Sequence, residues 1–449
     1  MASHRWLVAL SVSLLLPVVQ PLHASEAESL EARVQRLESE LATLKALLEA
    51  TLTDPAVADD ANLAIVDIKP DGRPAALARQ QEPQAAGFGY EGFVQFDTLV
   101  THYNDGKPAT STIDDFLVPS DIPVDPDAEG GFTSTNMSAK SSRFGFTTDH
   151  QLEQGRIRSL VELDFALSSQ GNERISNSWS SRLRHAYLDW QWSETGSVRA
   201  GQYWTTFMRA EARPALWDLT GGVGQTFNRQ PLIRLRQGAW SLALENPATR
   251  LDGVDYSSQQ EAFPDVIARY DGEFGGLGWT VAGMVRQLNY RDDSHSQGPR
   301  EDDAWGYATS AAGNWTWGAN DIRFMFNYGD ALGRYMGLNA FNDGLVGLDG
   351  NIVTYDQWGG LLSWSRRFTP RWQAGVTVSA AWADVPGDAV YPGAGLLPDQ
   401  YVSSHINLWY RPTPKLAIGS EYIRAVKEWH NGDKGDLDRL MFSLRYSLK

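Results

Sequence analysis

The sequence predicts an all-β protein: an antiparallel transmembrane β-barrel of about sixteen strands behind a short N-terminal coiled-coil helix. Three observations predict it. From Phe88 onward, apolar and polar residues alternate with a period of two. The connections between the alternating runs are short and long in turn. The chain also carries 17 Trp, 16 Tyr, 17 Phe and 41 Gly, and barrels place aromatic girdles at both membrane interfaces and glycine in their turns. A length of 449 residues would by itself allow two or three soluble domains. A mean hydropathy of −0.36 looks soluble too, but barrel strands average lipid-facing with lumen-facing residues and so read as polar.

The first residues follow other rules. His4 and Arg5 precede an apolar run from Trp6 to Val19, and small residues follow at Ala24 and Ser25. Residues 1–24 are therefore expected to be a cleaved signal peptide. In 25–52, Leu30, Val34, Leu37, Leu41, Leu44 and Leu48 alternate spacings of four and three, which is a heptad seam. Arg33 at position g then faces Glu38 at position e of a neighbouring chain, and the run from Arg33 to Glu38 resembles the Arg-h-x-x-h-Glu signature of short parallel trimeric coiled coils. The alternative is an amphipathic helix packed on its own domain. Residues 53–87, with Pro55, Pro70, Pro74 and Pro83, lose all periodicity and read as a linker.

The expected strands are 90–103, 139–149, 156–168, 181–193, 196–204, 229–236, 239–246, 264–273, 277–290, 302–316, 319–329, 353–367, 371–384, 400–411, 414–428 and 438–448. Alternation alone would also suit a soluble sandwich. Loop asymmetry decides. Short connections such as Glu194-Thr195, Gly275-Gly276 and Thr369-Pro370 alternate with long ones such as 104–138, 205–228 and 330–352. Outer-membrane barrels have short periplasmic turns and long outer loops, and an even strand number puts both termini in the periplasm. The last run ends Leu448-Lys449 on a face of Leu440, Phe442, Leu444 and Tyr446. It looks like a C-terminal strand read by the barrel-assembly machinery, although the usual terminal residue is aromatic.

A barrel of this size encloses a water-filled lumen, so its chemistry should lie in the inward set. Of the 39 basic residues all but eight are Arg. Parity with the lipid faces turns Arg143, Arg158, Arg234, Arg236, Arg269, Arg286, Arg323 and Arg445 inward, with Arg182 and Arg184 beside an ambiguous parity at His185. Asp97, Glu162, Asp164, Asp271 and Glu273 share that side. Opposed basic and acidic walls would set a transverse field, and the arginine excess would steer anions. In sixteen-stranded trimeric barrels the third outer loop, after strand five, folds into the pore. Here that loop is 205–228, and it carries Arg209, Glu211 and Arg213, with Gly221-Gly222 giving the backbone latitude. Arg209 and Arg213 are expected to face the constriction and bind a carboxylate by charge-assisted bonds.

Several segments together resemble the DcaP-like family of trimeric outer-membrane porins. They are Pro119-Ser120-Asp121-Ile122-Pro123-Val124, Ser142-Arg143-Phe144-Gly145-Phe146, Arg182-Leu183-Arg184-His185-Ala186-Tyr187-Leu188, Gly201-Gln202-Tyr203-Trp204-Thr205 and Arg229-Gln230-Pro231-Leu232-Ile233-Arg234. The resemblance implies a homotrimer with a periplasmic coiled coil in a Gram-negative outer membrane, in contact with lipid and lipopolysaccharide. It also implies uptake of small carboxylates, including dicarboxylates and aromatic acids.

Composition limits the rivals. Zero cysteines exclude disulfides and thiolate chemistry, and a net charge of −16 argues against a nucleic-acid partner. A phosphate porin would favour added lysines, and a sugar porin would use aromatic tracks, for which Tyr203, Trp204, Trp217 and Trp409 are available. An outer-membrane hydrolase would need a His with partners, and His185 and His405 show none in sequence. No cofactor is expected. The turn containing Asn431, Asp433, Asp436 and Asp438 has the composition of a Ca²⁺ loop, but such acidic, Gly-rich loops are usually just solvated.

Overall fold

A computed structural model describes residues 87–167, 176–295, 298–338 and 340–449. The expected signal peptide, heptad seam and most of the linker lie outside the described residues. The rest forms one antiparallel sheet closed on itself, with a small three-stranded sheet of Leu251–Asp252, Gly344–Val346 and Ile352–Thr354 in the outer loops. The closed sheet's eighteen strand segments make a barrel of sixteen staves, because two staves are each built from two segments. The staves are β1 (Gly87–Tyr103), β2 (Phe132–Ser138 with Arg143–Leu152), β3 (Gly155–Asp164), β4 (Arg182–Gln191), β5 (Gly196–Trp204), β6 (Arg229–Gln237), β7 (Trp240–Glu245) and β8 (Gln259–Gln260 with Asp265–Phe274). They continue as β9 (Leu277–Asp292), β10 (Arg300–Trp317), β11 (Asn320–Asp330), β12 (Asp356–Arg367), β13 (Trp372–Asp384), β14 (Pro398–Thr413), β15 (Leu416–Trp429) and β16 (Lys434–Ser447).

Closure runs along β1 and β16, paired from Phe93↔Ser447 to Tyr103↔Leu437. A bilayer offers no water to an unpaired backbone group, so a membrane sheet must have no edge. The alternation then has one outcome. Leu362, Val376, Val378, Ile406, Phe442 and Leu444 are exposed on the outside, where acyl chains lie, while Ser363, Thr377, Ser379, Ser403 and Ser443 are buried inside. Trp358 and Trp382 stack on the outer face with centroids 3.9 Å apart, as girdle residues do. The turn between β8 and β9 is Gly275-Gly276, with φ of +56° and +81°. Both central residues of such a two-residue hairpin need positive φ, which glycine adopts without a Cβ penalty.

The structure departs from the sequence reading at short strands in the loops expected at 247–263 and 330–352, and at two places in the staves. Phe132–Ser138, expected in a loop, is a strand paired with β1 from Asp97↔Ser138 to Tyr103↔Phe132. Its Thr, Ser and Asn residues carry no apolar face, so period two is invisible there. In β4 the register with β3 shifts between Glu162 and Leu163. This bulge inserts Arg184 beside His185, so both are buried within the barrel, and it explains the broken parity at His185.

The outer loops supply a second core. Ile113, Phe116 and Leu117 of loop 104–131, Phe207 and Val223 of loop 205–228, and Leu332, Tyr335 and Met336 of loop 331–355 form one buried apolar cluster. Loop 205–228 is tied to inward-facing residues of β7, β8, β11, β13, β14 and β15. The Thr206 N–H donates to Glu245 on β7 at 2.6 Å. Arg269 on β8 donates to the Met208 carbonyl at 2.7 Å, and Arg323 on β11 to the Arg213 carbonyl at 2.6 Å. Trp217 stacks on Trp409 of β14 with centroids 3.7 Å apart and planes at 15°, and its backbone N–H donates to Glu421 of β15 at 2.5 Å. On the return leg the N–H groups of Val223 and Gly224 donate to the hydroxyls of Ser403 and Ser379 at 3.4 and 2.9 Å. A Cβ on Gly224 would strike the Ala380 carbonyl oxygen, so the close approach requires glycine. The loop thus lies along the side built by β7–β16.

Two outcomes follow. Ile406→Arg puts a cation at the middle of an outward stave and should cost about 2–4 kcal/mol, read by denaturant unfolding in phospholipid vesicles; a change near zero would contradict the assigned lipid face. Trp217→Ala removes a buried aromatic worth about 3–5 kcal/mol. Amide exchange in 213–221 should then quicken on the order of a hundredfold while the strands stay protected, and unchanged exchange would contradict the anchoring role.

Candidate functional site

The side built by β2–β6 carries charge in registered rows. Across an antiparallel sheet, residues in register on adjacent strands stand side by side on the same face, so registered charges form rows. One row runs Asp149, Arg158, Asp189, Arg199, Arg234 over β2 to β6. The next row toward the short turns contains Arg156 and Arg236. Nearer the outer loops, Arg143, Asp164 and Arg182 stand in register.

Most of these charges pair locally. Arg182 grips Asp164 with two bonds of 2.8 and 2.9 Å. Arg184 spans Glu162 and Asp164 at 2.8 and 2.7 Å, and Arg143 lies 3.9 Å from Glu162. Arg156 and Arg158 share Asp149, and Arg199 pairs with Asp189. On β6, Arg229 and Arg234 have ring neighbours and no carboxylate at ion-pair distance among the described residues. Arg229 lies over the Trp204 ring at 4.6 Å, and Arg234 lies 5.5 Å from the Tyr203 ring. Arg199 also sits over Tyr187 and Tyr203, at 4.3 and 4.1 Å. A ring face holds a guanidinium without cancelling its charge, so these arginines keep their attraction for an anion.

Other expected site residues are committed elsewhere. Arg209 does not present a free fork to the lumen: it donates to Asn314 at 3.0 Å and Thr280 at 3.2 Å and pairs with Asp271 at 3.4 Å. Arg269 is bonded to Asp271 at 2.6 Å as well as to the loop. Arg286, expected along the pore, is fully buried under the outer loops, 2.8 Å from Asp343 and 3.5 Å from Asp265. Parity gave the right side of the sheet for it but not the loop acid that covers it. Arg213 packs over Phe227 at 4.7 Å and donates to the Leu219 carbonyl at 3.3 Å. Glu211 is exposed on the short turn Ala210–Ala212. Arg236, near the short turns, is exposed and donates to the Gly238 carbonyl at 3.2 Å.

Sequence reasoning passed over Arg199, Arg229, Arg334 and Arg439. Arg199 was accessible in principle, since it alternates with Val198 and Ala200. Arg334 comes from a loop with no periodicity, yet it is buried 3.0 Å from Asp265. His405, which has no partner visible in sequence, contacts Glu421 at 2.9 Å and Ser403 at 3.2 Å. That Ser–His–Glu chain lies beneath loop 205–228, where Ser403 and Glu421 accept the loop's own N–H groups. The aromatic track is likewise occupied: Trp217 and Trp409 cover each other, and Trp204 packs on Phe227 at 5.0 Å. In the acidic turn, Asp436 and Asp438 pair with Arg424 at 3.1 and 2.8 Å, and Asp433 accepts from Asn431. Among the described residues no group of three or more His, Cys, Asp or Glu is placed to hold a metal ion.

Comparison with known proteins agrees with this architecture. Residues 103–448 match the family model described as DcaP outer membrane protein. Among solved structures, the outer membrane channel DcaP of Acinetobacter baumannii superimposes with a TM-score of 0.66 at 18% identity, over 83% of this chain and 100% of that one. A loop-deletion mutant of OmpT from Vibrio cholerae gives 0.48 at 12% identity, over 81% and 100%. OmpF of Salmonella typhi gives 0.47 at 11% identity, over 79% and 97%. No curated protein matches. With the match spanning nearly the whole barrel, the chain belongs to the DcaP outer membrane protein family.

Proposed function

We propose that this outer-membrane barrel is a porin for passive diffusion of small anionic solutes, carboxylates and dicarboxylates in particular. The observation that carries the reading is the surplus of guanidinium on the β2–β6 side. Arg156, Arg158, Arg199, Arg234 and Arg236 stand there against Asp149 and Asp189. Loop 205–228 is anchored to the other side, so the passage runs beside the arginine rows. The carboxylates hold most guanidiniums in fixed orientation, and the residual positive charge acts in a confined space where field lines are focused. A planar guanidinium fork matches a carboxylate in two parallel bonds, which supports carboxylates over halide-like anions. Arg229 and Arg234, whose ring neighbours leave their charge uncancelled, are the first candidates for solute contact. The assembly in this reading is a homotrimer joined in the periplasm by residues 25–52.

Planar-bilayer recording tests it. In a salt gradient the reversal potential should show anion preference, and succinate should reduce the chloride current. The Arg229→Gln/Arg234→Gln double variant should lower anion preference and weaken the succinate block by about tenfold, the scale of losing one or two charge-assisted bonds at about 1.5–3 kcal/mol each, part of which returns through solvation. A cation-selective reversal, or a block indifferent to both substitutions, would overturn the proposal.

A further inference from the structure

We infer that the periplasmic end of the lumen holds a second anion station, built to take a single oxyanion group such as a carboxylate or phosphate. A cavity of about 210 Å³ lies there, lined by Arg156, Arg158, Arg199 and Arg236 with Asp189 and Glu194. It sits where β3, β4, β5 and β6 reach their short turns, at the far end of the staves from loop 205–228. Its charges are incompletely matched. Asp149 serves both Arg156 and Arg158, Asp189 serves Arg199, and among the described residues Arg236 donates to the Gly238 carbonyl without a carboxylate partner. With Glu194 counted, one positive charge remains. Arg158 is 47% exposed, so it retains donors toward the cavity after bonding to Asp149 at 3.2 Å.

The arrangement is held rather than incidental. Arg158, Asp189 and Arg199 are locked in consecutive register, and Arg199 lies over the Tyr187 and Tyr203 rings, which pack against each other. An oxyanion placed in the cavity meets forks from β3 on one side and from β5 and β6 on the other, and each bond is charge-assisted. Its consequence rests on the anion reading above. A solute leaving the barrel crosses this station last, so anion already in the periplasm competes for it and slows further entry.

Inorganic phosphate applied to one side of the bilayer at a time is the probe, with the full mature protein inserted in one orientation. Phosphate from one side should reduce the unitary current at a concentration at least about threefold lower than from the other. Arg158→Gln/Arg236→Gln should abolish that difference, and Glu194→Gln, which removes the opposing carboxylate, should enlarge it. Equal block from both sides, or a difference that survives the double variant, overturns the station. If the double variant fails to assemble, Glu194→Gln decides alone: an unchanged difference overturns it. The reversal potential recorded in the same membranes keeps the two proposals apart. Cation selectivity with one-sided block sinks the anion reading and leaves the station, whereas anion selectivity with symmetric block does the reverse.

Discussion

Backbone hydrogen bonding in a medium without water is the constraint on which everything else in this protein depends. An open sheet edge in hydrocarbon leaves a row of N–H and C=O groups unsatisfied, at several kcal/mol each. The β1–β16 seam removes that edge. Closure then fixes parity, because each side chain points either to lipid or to the lumen. Within the apolar band the outward positions are greasy, and registered strands arrange the inward charges in rows.

The rows are mostly self-compensating. Arg184 with Glu162 and Asp164, all but fully buried, is a network in which removing one partner would leave an unpaired buried charge. Such groups shape the wall rather than attract solute. On the β2–β6 side a remainder is left: guanidiniums that share an acid, as Arg156 and Arg158 do, or that rest on rings, as Arg229 and Arg234 do. The loop 205–228 makes that remainder matter. By packing along the β7–β16 side, with Trp217 seated on Trp409 and its backbone N–H on Glu421, it leaves the charged side to border the passage in the function proposed above.

The fold was legible in the sequence wherever one face of a strand is greasy. Runs such as Trp372, Val376 and Val378 against Gln373, Thr377 and Ser379 fix stave, parity and turn together. It was illegible where both faces are polar, as in Phe132–Ser138, and where a bulge adds a residue, as at Arg184. The site was legible only in its side. Parity turns Arg286 and Arg269 inward but says nothing of Asp343 or the Met208 carbonyl, which arrive from loops distant in sequence. Arg209 was expected to stand free for the same reason: its partners Thr280 and Asn314 lie 71 and 105 residues away.

The account stands most directly on which inner surface borders water. The chain has no cysteine, so a single introduced thiol reports its own position. Ser197→Cys lies in the arginine row of Arg156 and Arg236, and Ser403→Cys lies under loop 205–228. A charged, membrane-impermeant thiol reagent should react rapidly at position 197 and step the single-channel current down, while position 403 stays silent. Rapid reaction with current loss at 403 and none at 197 would put the passage on the other side of the loop and contradict the account.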